Sequence, residues 1–339
     1  MMWIARPATE DDVSGLIALA EVASPHVHTL PRTRPGVEDA IARTREALAR
    51  PVDTPADEHY QLVLEDTDGA IAGTAAIAAT AGSAGAYFSY RNDVIHHVSR
   101  DLRIANNVHV LTLNSDLTAH SQLSGLQVTP GCAAAGPLLS RSRLMLAAAD
   151  RRRFADSFFA CLAGQTHPDH TSPFWDAIGR KFFNMDYLSA ERAVRGARNG
   201  TLIVELMPHY PIYVPLLPDA ACEVIGQLHP EAVAAFDILA AEGFEADRYV
   251  DIFDGGPVLE AHASRLKTLS TARNLTAEAA TESRPGETCL IATTGALSQF
   301  RCTISPGTVE LDRGRILLPA ETLDALRICA GDAVIVAAA

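Results

Sequence analysis

Apolar residues near the amino terminus follow two periods, one typical of strands and one typical of helices. Trp3 to Ala5 predict a short strand, and Thr9 followed by Asp12 forms a capping pair before the helical run VSGLIALAEVA. The run VEDAIARTREALAR, residues 37–50, predicts a second helix. Two apolar runs on either side of a turn at 67–69 predict an antiparallel hairpin.

The middle of the chain alternates strand-like and helix-like patterns. VHVLTLN and QLSGLQV predict strands at 108–114 and 122–128, and Pro137 suits the first turn of a following helix. Later patterns predict strand, helix, strand, helix and strand in the order SFFACLAGQ, SPFWDAIGRKFF, TLIVELM, PEAVAAFDILAAEG and RYVDIFDGGPVL. This alternation around a hairpin predicts an α/β (α+β) fold, with helices on the faces of a mixed, mostly antiparallel sheet.

The carboxyl-terminal part has a different pattern. Residues 289–339 contain short strand-like runs every eight to ten residues, separated by glycine turns, and one helical run, AETLDALRIC. They predict a small β-rich unit. Residues 264–288, rich in Thr, Ser, Ala, Arg and Glu, predict a linker. The body before it, 1–263, is predicted to have two lobes, about 1–150 and 151–263.

The bulk composition is that of a soluble globular protein, with 339 residues, 48% of them hydrophobic, and a mean hydropathy of +0.08. A formal charge of −13 opposes binding to nucleic acid or anionic membrane, because both attract Lys and Arg. We expect a cytoplasmic protein, because no basic-then-apolar leader and no apolar run of membrane-spanning length occurs. Six scattered cysteines without a CxxC pair predict reduced thiols, not disulfides or structural zinc.

Two histidine pairs could suggest a metal site. His96 and His97 would point to opposite faces of a strand, and His167 and His170 are separated by a proline in a loop. We therefore predict no metal. The run 151–153, three arginines, is most simply a solvated helix end.

Longer motifs resemble a known family. A strand, a glycine-containing loop and a helix opening near Pro137 are typical of acetyltransferase-type (GNAT) domains. The stretches that resemble the arginine N-succinyltransferase family are VHVLTLNSDLTAHSQLSGLQV, SPFWDAIGRKFFNMDY, VELMPHYPIYVPLLPDAA, VIGQLHPEA and EGFEADRYVDIFDGGP. The resemblance implies a GNAT-like fold and transfer of succinyl from succinyl-CoA to the α-amino group of arginine, in arginine catabolism.

The resemblance also has implications for partners. The residues of the motifs PHYPIYVPLLPDAA and SDLTAHS resemble those of the α-subunit branch, in which α and β subunits form an arginine/ornithine succinyltransferase. The expected small molecules are L-arginine or ornithine, with succinyl-CoA as co-substrate. The expected assembly is a homo-oligomer, or a hetero-oligomer with a homologous subunit.

His229 is the candidate catalytic residue. Acyl transfer from a thioester to an amine needs a proton for the departing thiolate, and imidazole has the side-chain pKa nearest neutrality. Pro230 and Gly243 predict a helix over 230–242, whose positive amino-terminal end disfavours imidazolium. By resemblance, the GQxHP motif makes His229 the proton donor. The alternative is a helix-starting histidine bonded only to nearby backbone.

The acyl-CoA site is expected where the predicted strand QLSGLQV, 122–128, leads into the helix that opens near Pro137. Pantetheine would bind the strand edge, and pyrophosphate the N–H groups opening the helix. The residues predicted to bind succinyl-CoA, Leu126 by resemblance, are Leu126, Gln127, Val128 and Gly136. The loop GCAAAGP departs from the family pattern, having no basic residue and one fewer glycine, although Arg141 and Arg143 could supply charge. The alternative is a non-catalytic partner subunit that has lost CoA binding.

A guanidinium or ammonium substrate calls for carboxylates. The candidates within the family-like stretches are Asp116, Glu205, Asp251 and Asp254. Each also has a structural interpretation, as a turn residue for Asp116 and Asp254, and as the solvated side of a strand for Glu205. A third hypothesis is a CoA-dependent N-acyltransferase that acts on a different amine.

Overall fold

The computed structural model describes residues 2–23, 30–196, 201–280 and 286–339. The strands of this part of the chain are β1 (Ile4–Pro7), β2 (His59–Glu65), β3 (Ile71–Ala78), β4 (Ser89–Ser99), β5 (Ile104–Asn114), β6 (Ser121–Val128), β7 (Ser157–Cys161), β8 (Ile212–Tyr213), β9 (Glu245–Val250), β10 (Pro257–His262), β11 (Arg273–Ala279), β12 (Glu287–Thr293), β13 (Cys302–Glu310), β14 (Arg315–Leu318) and β15 (Ala333–Ala338). Its α-helices are α1 (Val13–Val22), α2 (Arg34–Ala49), α3 (Gly136–Ala149), α4 (Pro173–Ala177), α5 (Arg180–Phe183), α6 (Tyr187–Gly196), α7 (Thr201–Leu206), α8 (Asp219–Val224), α9 (Val233–Glu242), α10 (Lys267–Thr271) and α11 (Ala320–Leu326).

All the strands belong to one sheet, in the order β12-β15-β11-β14-β13-β1-β2-β3-β6-β7-β10-β9-β4-β5-β8. Within the described residues, only the pairs β6–β7 and β11–β14 are parallel. The prediction of a mixed, mostly antiparallel sheet is therefore confirmed. An additional pairing of β12 with β13 closes the five carboxyl-terminal strands into a small barrel, which is the predicted β-rich region.

The main core lies between α3 and the centre of the sheet. Leucines of α3 and alternate residues of β2, including Leu62 and Leu64, are fully or almost fully buried together. Burial of each such side chain contributes about 1.5–3 kcal/mol. This packing sets the position of α3, and therefore of the loop that precedes it, relative to β6.

A second core lies under the short helices that follow β7. Trp175 stacks on Phe253 with ring centroids 5.4 Å apart, and Phe174 meets the edge of Tyr90 at 6.0 Å. Both aromatic residues of α4 are completely buried. The turn between β9 and β10 is thereby fastened to α4.

Two predicted elements differ in the structure, and one strand, β4, was not predicted. TLIVELM forms the helix α7 rather than a strand, because an apolar run this short has no periodicity that separates the two. The polar run RNDVIHHVS forms β4, which pairs with β5 over its whole length. SPFWDAIGRKFF forms two short helices rather than one.

The predicted domain division remains a prediction. The stretch 264–288, predicted to be a linker, contains the helix α10 and the barrel strand β11, while 281–285 lies outside the described residues. Part of this stretch has a polar sequence because β11 alternates buried positions with positions that are exposed or half-exposed.

Candidate active site

The two parallel central strands separate towards their carboxyl ends. β6 pairs with β7 from Ser121 opposite Phe158 to Leu123 opposite Ala160. Beyond this point β6 continues to Val128 beside β3, whereas β7 ends at Cys161. No described strand therefore lies beside Leu126–Val128 on the β7 side, and backbone groups there face the opening between the strands.

A bulge lies in β6 where the separation begins. Ser124 is paired with Ala76, but Gln127 is paired with Thr74, so two residues of β6 oppose one of β3. Gly125 has a φ of 59°, in the left-handed region that favours glycine. The bulge turns the following residues relative to the regular ladder. An isolated glycine within a strand pattern is the signal in QLSGLQV from which this bulge could have been predicted.

The predicted pyrophosphate loop is a 3-10 turn, Pro130–Ala135, that leads directly into α3. Gly131, Ala133 and Ala134 are exposed, whereas Gly136 is buried. A Cβ on Gly136 would lie 3.3 Å from the side chain of Ile238 on α9, whereas one on Gly131 would meet nothing within 4 Å. We refer to Leu126–Val128 and residues 129–136 as the donor side.

The suggestion that Arg141 and Arg143 supply charge to this loop is wrong, because both are buried and bonded elsewhere. Nε of Arg141 lies 2.9 Å from the carboxylate of Glu242 and 2.9 Å from the hydroxyl of Thr268. Arg143 donates instead to carbonyl oxygens of Ser124 and Ser140. Complete burial lowers the pKa of Arg143 to about 9, so that it still carries its charge at neutral pH.

His229 lies beyond the carboxyl end of β7. Its N–H donates to the carbonyl of Ala163 at 2.9 Å, and the neighbouring Leu228 forms a β-bridge with Gly164. The predicted helix begins as a 3-10 turn at Pro230 and continues as α9. His229 is its N-cap, with Nδ1 accepting from the N–H of Glu231 at 3.3 Å and the side chain 16% exposed.

Asp251 and Asp254 lie in the turn between β9 and β10 and are almost fully buried. Asp254 accepts from the N–H groups of Gly164 and Gly256, each at 2.8 Å, and from the hydroxyl of Tyr187 at 3.4 Å. Asp251 accepts from the N–H of Phe253 at 2.7 Å and from the thiol of Cys161 at 3.2 Å. Asp254 thus holds the segment that binds His229.

The backbones of the β7 extension and the β9–β10 turn come very close together. A Cβ on Gly164 would lie 2.6 Å from the backbone nitrogen of Gly256, and one on Gly256 would lie 2.4 Å from that of Gly164. Only glycine fits at either position. We refer to residues 162–164, Tyr187, His229 and residues 251–256 as the histidine side. Gly164 and Tyr187 are the parts of it that the sequence did not indicate.

The other two candidate carboxylates differ in position. Asp116 is half-exposed, 3.1 Å from the guanidinium of Arg91, and accepts from the hydroxyl of Tyr249 at 3.1 Å. Burial and the Asp116 charge raise the pKa of Tyr249 to about 12. Glu205 is exposed on α7, and none of the contacts in the described chain joins it to the other three.

Two kinds of feature are absent from the described residues. No cluster of three or more His, Cys, Asp or Glu side chains with the arrangement of a metal site occurs among them. None of their helices is both long enough and apolar enough to cross a bilayer.

Separated parallel strands, a glycine bulge and a helix opening directly after the bulged strand are features of the GNAT-type acyltransferase fold. A family model described as arginine N-succinyltransferase beta subunit matches residues 3–268, and the model of that subunit's C-terminal domain matches residues 273–338. The chain belongs to the arginine N-succinyltransferase family.

Individual relatives agree with this membership. The arginine N-succinyltransferase subunit alpha of Pseudomonas aeruginosa is 40% identical over 89% of this chain and 90% of its own length. The corresponding subunit beta is 32% identical, and the arginine N-succinyltransferase of Escherichia coli 34%, each over 98% of this chain and 96% of the relative. The higher identity to the alpha subunit agrees with the predicted branch.

A solved structure shares the whole fold. The arginine/ornithine succinyltransferase subunit AI of Pseudomonas aeruginosa superposes with a TM-score of 0.86 at 36% identity, covering 99% of this chain and 98% of that chain. The barrel as well as the body is therefore part of the shared architecture.

Proposed function

We propose that the chain transfers succinyl from succinyl-CoA to the α-amino group of L-arginine, giving N2-succinylarginine and CoA, and that ornithine is a second acceptor. Family membership over nearly the whole chain is the observation that carries this proposal. The reaction requires no metal. We also propose that the chain acts in the cytoplasm.

The chemistry needs little from the protein beyond position and one proton. The neutral amine attacks the thioester carbonyl, the C–S bond breaks, and the thiolate takes up a proton. Because Nδ1 of His229 accepts from a backbone N–H, a neutral ring carries its proton on Nε2. His229 would donate that proton to the thiolate as it leaves, while the ring regains a proton from the amine nitrogen as the amide forms, so that the imidazole ends neutral.

The donor side would bind succinyl-CoA through backbone groups. Leu126, Gln127 and Val128 present peptide groups at an edge without a neighbouring strand, which suits the amides of pantetheine. Pyrophosphate would bind backbone N–H groups of the exposed turn 130–135 without a basic side chain nearby, because the N–H of Gly136 itself already donates to the carbonyl of Ala133.

Among the four candidate carboxylates, Asp116 is the one that we propose as a ligand of the substrate cation. Its side chain is 42% exposed and therefore accessible, although it must share its charge with Arg91. Asp251 and Asp254 are engaged with backbone N–H groups, so their contribution would be to hold the loop. Glu205 would contact the substrate cation only if assembly with another subunit or binding of the acceptor brought it closer to the other three carboxylates.

Replacement of His229 tests the proposal. His229→Ala should lower the rate of thiol release from succinyl-CoA in the presence of arginine by about 10²–10⁴-fold. The chain provides a matched control in His262, which also caps a 3-10 turn and accepts from the N–H of the residue two positions on, Ser264, at 3.3 Å. His262→Ala should keep the activity. Full activity in His229→Ala would show that the assigned role is wrong.

The second candidate function is a partner subunit without catalysis. It is favoured by the donor loop, because GCAAAGP contains no cation and both nearby arginines point away from it. Calorimetric titration of the isolated chain with CoA separates the two. Binding by this chain alone excludes the partner function, whereas binding only after addition of a homologous subunit supports it.

We also propose that the chain assembles with copies of itself or with a homologous subunit, since relatives carry the names alpha and beta subunit. Sedimentation of the purified chain gives its mass in solution. A monomer that is fully active on its own would contradict this part of the proposal.

A further inference from the structure

Arg143 is a charged residue buried in the core without a carboxylate partner in the described structure. It is 2% exposed, and its contacts are all with neutral oxygens. Burial of a guanidinium without a counter-ion is costly unless each N–H is bonded.

The bonds of Arg143 join the helix to the bulged strand. Its Nε and Nη2 donate to the carbonyl and the hydroxyl of Ser140, at 3.0 and 2.7 Å. Its Nη1 donates to the carbonyl of Ser124 at 3.3 Å and lies 3.5 Å from that of Ala76. Ser124 and Ala76 are the last regular pair before the Gly125 bulge.

The hydrogen bonds of Arg143 connect the two elements, α3 and β6, that carry the donor side. α3 begins with the loop proposed for pyrophosphate, and β6 continues after the bulge as the edge proposed for pantetheine. Arg143 bridges the two elements about two turns into α3, directly beneath the point where the strand changes direction. Arg143 therefore adds a polar link between the two halves of the donor site to the apolar packing of α3 on the sheet.

We propose that Arg143 is a positioning residue for succinyl-CoA: by fastening the carbonyl groups that precede the β6 bulge to α3, it sets the edge Leu126–Val128 relative to the start of the helix. This inference rests on the proposed function. It assigns Arg143 to the donor and not to the amine or the proton transfer, so its loss should weaken succinyl-CoA binding selectively.

The test compares Arg143→Met with a matched control, Arg141→Met. Both arginines are buried on α3, but Arg141 bonds to Glu242 and Thr268 and does not contact β6. Arg143→Met should raise both the Kd for CoA and the KM for succinyl-CoA about tenfold, while changing the KM for arginine less than about twofold. Arg141→Met should lower the Tm but leave the Kd for CoA within about twofold.

Two more variants keep the test decisive should Arg143→Met fold poorly. Arg143→Lys keeps the charge, but a single ammonium cannot span Ser140 and the strand, so CoA binding should fall between wild type and Arg143→Met. Gly125→Ala strains the bulge directly without touching the buried charge, and should show the same selective loss for the donor. Amide hydrogen exchange over 124–128 should be faster in Arg143→Met than in Arg141→Met.

The outcomes separate this inference from the proposed function. A wild-type chain that binds no CoA defeats the proposed function. A wild-type chain that binds CoA while Arg143→Met and Gly125→Ala bind it equally well overturns this inference alone. Equal weakening by Arg141→Met and Arg143→Met would also overturn it, because the effect would then come from general loss of stability.

Discussion

The donor side and the histidine side lie at the carboxyl ends of adjacent parallel strands, yet opposite charges hold them in place. On the donor side the guanidinium of Arg143 donates to backbone carbonyls at the bulge. On the histidine side the carboxylates of Asp251 and Asp254 accept from backbone N–H groups. In both places a charged side chain bonds backbone groups close to where the two strands separate.

The two sides differ in how closely their backbones are packed. The donor loop is exposed, and a side chain at Gly131 would meet open space. The histidine side is packed so closely that two glycines touch backbone to backbone. A flexible, extended cofactor requires an accessible edge, whereas a proton donor must be held within a fraction of an ångström.

The largest expected effect comes from removing the carboxylate that holds the histidine side. Asp254→Ala leaves the N–H groups of Gly164 and Gly256 buried without an acceptor, and should lower the free energy of unfolding by about 2–6 kcal/mol. Urea denaturation measures it. Asp254→Asn, which retains one acceptor oxygen, should lose less. A fall below about 1 kcal/mol in Asp254→Ala would show that these bonds do not hold the segment.

The next effect compares a glycine from each side. Gly164→Ala places a Cβ 2.6 Å from a backbone nitrogen and should cost about 1–3 kcal/mol, because neither backbone can move away freely. Gly131→Ala on the donor loop should change the free energy of unfolding by less than about 0.5 kcal/mol. Thermal unfolding of the two variants side by side gives both values, and equal costs would remove the contrast between the two sides.

A smaller effect concerns the exposed carboxylate. Tyr249→Phe removes the hydrogen bond to Asp116 and should cost about 0.5–1.5 kcal/mol at neutral pH. Because the pKa of Tyr249 in the folded protein is raised to about 12, this stabilisation is fully present below the ordinary tyrosine pKa near 10 and is lost as pH rises towards 12. The advantage of wild type over the variant should therefore shrink and then reverse between about pH 10 and 12, because the free energy linked to the raised pKa exceeds that of one hydrogen bond.

Ultraviolet absorbance provides the independent check on that titration. The variant should lack one of the tyrosinate transitions that occur above the ordinary range. A Tyr249 that ionises near pH 10 would mean that neither the burial of its ring nor the bond to Asp116 exists in solution.

The smallest expected effect tests whether a thiol close to the site takes part in the chemistry. Cys161 ends β7 and donates to Asp251 at 3.2 Å, but a thiol is a weak donor and direct transfer requires no covalent enzyme intermediate. Cys161→Ala should keep the rate of thiol release from succinyl-CoA within about twofold. A loss of more than about tenfold would assign the thiol a catalytic part.

The candidate site was only partly visible in the chain. The His-Pro step with a closing glycine predicted the helix over 230–242, and the structure has it from Pro230 to Glu242 with His229 as the cap. The sequence provided no basis for ranking the four candidate carboxylates. In the structure two of them, Asp251 and Asp254, are buried acceptors, and the other two are exposed. Burial depends on what packs above a residue, which no local pattern reports.

Arg141 and Arg143 show the same limit. Both appeared available to the donor loop because they follow it closely in the chain, and both point into the core. Their partners, Glu242 and Ser124, are distant in sequence and come within reach only after α3 has docked on the sheet.

The sequence by itself determined features that depend on short-range patterns, namely the hairpin of β2 and β3, the helix that His229 begins and the mixed sheet. Its long motifs also determined membership of the family. Only the tertiary structure decided where β6 and β7 meet and separate, that TLIVELM is helical, and which charges hold the opening between the strands. The physical reason is distance along the chain. Propensity and periodicity act over a few residues, whereas the bond from Gly164 to Asp254 joins groups 90 residues apart and exists only in the folded protein.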